Sequence, residues 1–170
     1  NLAACSGTPG SFTPSEAGVS AGRGAGARWQ ARRLLESPHR LGFSAAALVL
    51  MLASCWWLAW MLARALGLAW PWGVAPGLVH GLLFGFGFLP LFFTGFLFTA
   101  GPKWLGLPPV EARAMLPAIA ASLAGWGVFV LGAHAAAALA ALGLAAVASG
   151  WGSFTLRFWR LLRASPAADR

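Results

Sequence analysis

Three histidines, His39, His80 and His134, carry the chemistry that this chain could offer. Neutral imidazole is a common ligand for haem iron and for copper. His80 opens the stretch 79–106, V-H-G-L-L-F-G-F-G-F-L-P-L-F-F-T-G-F-L-F-T-A-G-P-K-W-L-G, which is apolar until Lys103. An ionisable side chain in or near a membrane span costs a few kcal/mol and is a functional candidate by default. With Nε2 written inward, the helical face of His80 continues through Gly87 and Thr94 at seven-residue spacing. The missing side chain at Gly87 would leave room beneath the imidazole for a flat ligand or a neighbouring helix. The plainer reading of such a histidine is a ring hydrogen-bonded at an interface. Met51 and Cys55, four apart on one helical face, offer sulfur that favours Cu(I), but both are also ordinary apolar packing residues. Thr94 and Thr99 are expected to bond back to carbonyls of their own helix.

The absences narrow the field. The only acids are Glu16, Glu36, Glu111 and Asp169, none in an apolar run. A proton relay or cation-coupled transporter built on intramembrane carboxylates is therefore excluded within this piece. No Ser-His-Asp pattern, metalloprotease motif or phosphate-cradling loop is present. Tyrosine is missing altogether, which removes a tyrosine radical or haem ligand. Cys5 and Cys55 form no CxxC and indicate no disulfide framework.

The elements that must position these residues follow from composition. The chain is 59% hydrophobic and 9% charged, against roughly 25% charged residues in soluble domains. That much apolar surface predicts an all-α polytopic membrane protein. Residues 1–37 read as a disordered, basic tail, with Gly, Ser, Pro and Ala dominating 1–28 and a short basic helix over 28–36. Leu2-Ala3-Ala4-Cys5 resembles a lipoprotein box, a chance match in low-complexity sequence on the stronger reading. Four transmembrane helices are predicted in a 38–163 region, at about 41–63, 78–100, 114–133 and 135–156, followed by a 164–170 tail. The run 41–63 is uncharged, with Trp56, Trp57 and Trp60 at its far end. Pro90 should kink the second span by freeing the Phe86 carbonyl, and Gly81-x-x-x-Gly85 offers a close helix contact. The charge-free run 114–156 holds 43 residues, twice a span, so it divides near Leu131-Gly132-Ala133-His134. The Ala- and Gly-rich fourth span should pack through small residues.

The net charge is +8. All Lys and Arg except Arg64 fall in the N-tail, the middle connection and the C-tail, so N-in/C-in is expected. This basic pattern suits a lipid bilayer and its head groups, not nucleic acid. It also brings His80 and His134 to the outer leaflet, where a pair from two helices could hold a flat macrocycle. His39 lies at the inner surface and cannot join them.

His80-Gly-Leu-Leu-Phe-Gly-Phe, followed by Gly95-Phe-Leu-Phe-Thr-Ala-Gly-Pro-Lys-Trp104, resembles the NnrS family. That family's pattern is similar to H-x-H-E-M-x-F-G-F and then G-F-L-x-T-A-x-P-x-W. Pro38-His39-Arg40-Leu-Gly-Phe43 looks like its P-x-R-x-x-F lead. The first motif histidine corresponds to Leu78 here and the motif glutamate to Gly81. The resemblance implies a multi-pass protein of the bacterial inner membrane that contains haem and copper and serves the nitric oxide response. It makes His80 the best ligand for haem or metal; His134 is the other cofactor-binding candidate, from the shared outer-leaflet level alone. It also implies a longer protein of about twelve spans, with further membrane helices as partners. The competing expectations are a non-catalytic membrane assembly subunit without metal and, less favoured, a small transporter subunit.

Overall fold

The computed structural model describes residues 31–166. The lipoprotein-like box, the 1–28 tail and residues 167–170 lie outside them. Among the described residues all regular structure is helical, and four helices are long and apolar enough to cross a membrane. The chain is thus an all-α polytopic membrane protein.

Helix α1 spans Pro38–Ala65. Pro38 sits at its first position, where the fixed ring φ suits a helix start and no N–H is lost. It stops at Gly67, whose φ of +67° lets the Leu68 N–H reach the Ala63 carbonyl at 2.9 Å. Helix α2 covers Pro76–Trp104 and ends the same way, with Gly106 at +67° and the Leu107 N–H on Pro102 O at 2.8 Å. A 3-10 turn, Ala112–Met115, leads into α3, Leu116–Ala135. Helix α4 is Ala137–Ala164. It runs beyond the predicted 156 because the basic residues after it are good helix formers and no breaker precedes Pro166.

Two expectations are corrected here, and a third, at Pro90, takes a specific form. The turn between α3 and α4 is the single extended residue Ala136 (φ −163°, ψ 134°), not 131–134. Gly132 looked like a turn signal, but it clears the first turn of α4. A Cβ there would sit 2.6 Å from Ala140 Cα. The disturbance at Pro90 takes the form of a π-helical turn over Leu83–Phe88, directly upstream. Such wide turns interrupt the i→i−4 ladder. They also take more residues per revolution, which brings Val79, Leu83, Gly87 and Leu91 onto one buried stripe. Finally, Gly81 and Gly85 contact no helix, since a Cβ at either would meet open space. Of the predicted basic helix at 28–36, the described part is a 3-10 helix, Ala31–Glu36. Its Leu34 and Leu35 pack against the core, and Glu36 pairs with Arg40.

The helices form two tight pairs. In α1–α2 the backbones cross at glycine, where a Cβ on Gly42 would lie 2.5 Å from Gly95 Cα. In α3–α4 a Cβ on Gly125 would lie 2.7 Å from the Gly143 carbonyl, the small-residue packing expected of the fourth span. Large side chains fill the space between the pairs. Trp126 of α3 reaches beneath Gly87, and Phe98 of α2 meets Phe154 and Phe158 of α4 at ring separations of 6.2 and 5.9 Å. Thr94 and Thr99 bond back to Pro90 O and Gly95 O at 2.6 and 2.9 Å, as the sequence predicts.

The antiparallel order gives the molecule two unlike ends. One gathers His39, Lys103, Arg113, Arg163 and both ends of the described chain, tied by the Ser165 hydroxyl on Leu105 O at 3.1 Å. The other carries the α1–α2 loop, the α3–α4 turn, and Trp56, Trp57, Trp60, Trp70 and Trp72.

Candidate functional site

The tryptophan end is built from the last turns of α1, the loop that follows, the first turn of α2 and the last turn of α3. Trp56, Trp57 and Trp60 come from α1; Trp70 and Trp72 come from the loop. They form a continuous aromatic collar. Trp57 lies 4.5 Å from Trp60 and 6.3 Å from Trp56, and Trp56 meets Trp72 edge-on at 5.4 Å. The Arg64 guanidinium stands 5.8 Å over the Trp60 ring. Amphipathic indoles suit the boundary between hydrocarbon and head groups. The loop is anchored across the molecule, where the Gly73 and Val74 N–H groups both donate to Ala133 O at 2.7 and 3.2 Å. That carbonyl belongs to the last turn of α3, which has no helical partner for it.

Both predicted site histidines stand in this collar, on different helices. His134 is in the last turn of α3. Its Nε2 accepts the Trp56 indole N–H at 3.1 Å, which makes Nδ1 the protonated nitrogen, donating to Pro71 O at 3.0 Å. Trp72 and Trp70 flank the ring at 4.4 and 5.6 Å. Both nitrogens of His134 therefore serve to bind α1, the loop and α3 together, and Nε2 has no lone pair left for a metal.

His80 is different. Its ring stacks on Trp57 at 4.4 Å and 23°, with Phe84 6.1 Å away. Among the described residues neither nitrogen has a hydrogen-bond partner. The buried nitrogen is Nδ1, the reverse of the orientation read from sequence, and Nε2 is the one turned to the outside. The space under Gly87 is not a ligand pocket either, because Val49 and Trp126 occupy it. The room near His80 lies on the outer face of α2 instead. Gly77, Gly81 and Gly85 follow at four-residue spacing beside it, each facing open space.

The two imidazoles make no contact with each other; the chain of neighbours runs His134, Trp56, Trp57, His80. His39 sits at the opposite end of α1, edge-on to Phe43 at 6.0 Å. Met51 and Cys55 are exposed on α1. Among the described residues no three His, Cys, Asp or Glu side chains gather as a metal site. As a fit test for the implied cofactor, His80 passes on its uncommitted Nε2 and the glycine-floored face beside it. His134 does not pass.

The sequence did not reveal that Trp56 and Pro71 are the partners of His134. The clustering of Trp56, Trp57, Trp60, Trp70 and Trp72 was the available signal, since five indoles so close in sequence must share one interface. A family model described as NnrS protein matches residues 33–167. No curated protein and no solved structure matches the chain.

Proposed function

The chain belongs to the NnrS family, and from that premise we propose that it is a haem-binding membrane protein of the nitric oxide response. The observation that supports this reading is His80, an imidazole with an uncommitted Nε2 beside a face of α2 floored by Gly77, Gly81 and Gly85. A planar macrocycle needs one imidazole from its protein and a flat surface to lie against, and glycine lets the ring approach the backbone. When bound, haem supplies an iron at which a diatomic gas can bind. His80 would hold and orient the group, Trp57 fixes the tilt of the imidazole by stacking, and the apolar face would exclude water. Copper asks more of the protein, usually several nitrogen or sulfur ligands. His80 would be this chain's share of such a site, completed by further membrane helices.

We infer a bacterial inner-membrane location from the family, and both termini inside because, among the described residues, every Lys and Arg but Arg64 lies toward the basic end. A tag on the C-terminus should then be protected in spheroplasts; cleavage from outside would reverse the orientation. The second reading is a non-catalytic assembly subunit, favoured by the same glycines, which also suit a tightly packed neighbouring helix. Absorption spectroscopy of detergent-purified protein separates the two. A Soret band lost in His80→Ala supports the haem reading. A colourless protein without copper by elemental analysis supports the subunit.

A further inference from the structure

The geometry points to a site for one anionic phospholipid in the groove between α2 and α4, at the basic end and away from His80 and His134. The groove encloses about 340 Å³ and is walled by Pro90, Phe93 and Leu97 of α2 and by Trp151, Thr155 and Trp159 of α4. It exists because the two helices belong to different pairs. Their contact is made by large rings, and no glycine crossing closes the outer side.

Its length fits one leaflet. From Trp151 to Leu162, its lining residues on α4, the helix rises about 16 Å at 1.5 Å per residue. That is about half of a ~30 Å hydrocarbon core, so a single acyl chain can lie along the groove for most of its length.

Its charge fits the head group. Thr155, Trp159 and Arg163 succeed one another at four-residue spacing along one edge, and the Arg163 guanidinium lies 6.0 Å over the Trp159 ring. The chain enters the bilayer below Trp159, so a phosphate above it meets Arg163. Helix α4 carries Arg157, Arg160 and Arg163 and no acid. Among the described residues, the acids are Glu36, paired with Arg40, and Glu111. Charge-assisted bonds from guanidinium to phosphate are the stronger kind, and a basic residue near the surface favours anionic lipid by about fivefold. A zwitterionic lipid would gain the same apolar contact without this preference.

The test is native mass spectrometry of the full chain in detergent with phosphatidylglycerol or phosphatidylcholine of identical acyl chains. The expected result is one retained phosphatidylglycerol, favoured about fivefold over phosphatidylcholine. In Arg163→Gln the ratio should fall to about one, while Arg157→Gln, off this edge, should keep it. Leu97→Trp fills the groove and should remove the retained lipid of both kinds with helical circular dichroism unchanged. Equal retention in the wild type, a preference surviving Arg163→Gln, or equal losses in Arg163→Gln and Arg157→Gln would overturn the site. So would a lipid retained in a folded Leu97→Trp. If Leu97→Trp does not fold, the two exposed arginine variants decide.

Discussion

His134 and His80 stand in one collar of tryptophans, yet one is consumed by the structure and the other is left over from it. His134 spends both nitrogens, one on the Trp56 indole and one on the Pro71 carbonyl. His80 has a stacked ring and no hydrogen bond. The same residue type at the same depth is thus cement in one place and an open hand in the other. A histidine's partners, more than its depth in the membrane, tell whether it is free for chemistry.

That contrast can be broken most sharply by a crossed pair of variants. His80→Ala should lower bound haem at least about tenfold, as expected when the protein's ligand is removed, with little change in unfolding. His134→Ala should keep haem in the protein that remains folded. It leaves the Trp56 N–H and Pro71 O unpaired and should cost about 1–2 kcal/mol in a denaturant titration. Equal loss of the Soret band from both would merge the two roles. Next in size, Gly81→Leu should fill the open face beside His80 and reduce haem occupancy several-fold without affecting stability, because its Cβ meets nothing. A stability loss comparable with that of His134→Ala would mean the face is packed. Trp56→Phe should cost about 0.6 kcal/mol, the typical value of one hydrogen bond in a membrane protein. It leaves His134 Nε2 unpaired, and a gain of haem in that variant would show that only the indole withholds the ring. Smallest is His39→Ala, at the other end of α1, which should leave the absorption spectrum unchanged.

The four spans were legible because a run of apolar residues as long as a bilayer is thick has few alternatives. The threonine back-bonds at Thr94 and Thr99 were legible too, being local to one helix. What failed was anything that depends on which face meets which neighbour. Gly81 and Gly85 match a packing motif as well as Gly42 and Gly95 do, but only the second pair lies on the face turned to another helix. Gly132 resembled a turn because glycine is used both for bends and for close approach. The single face assigned to His80, Gly87 and Thr94 was misjudged because the wide turn over Leu83–Phe88 changes the angular count along α2, and composition does not announce such a turn. The bonds of His134 to Trp56 and Pro71 span 78 and 63 residues in sequence, beyond the reach of any periodic pattern.

The widened turn in α2 has a consequence for indels. Everything upstream of it, His80 included, is aimed by how many residues that turn contains. Deleting one residue between 83 and 88 would let the ordinary ladder reform and leave the upstream segment at nearly its present angle, because the wide turn holds about one residue more per revolution than an α-turn. The imidazole would then keep its place on Trp57 and beside the glycine face. The same one-codon deletion a turn further on, in the regular helix after Leu89, has no wide turn to absorb it and would redirect the histidine by about 100°.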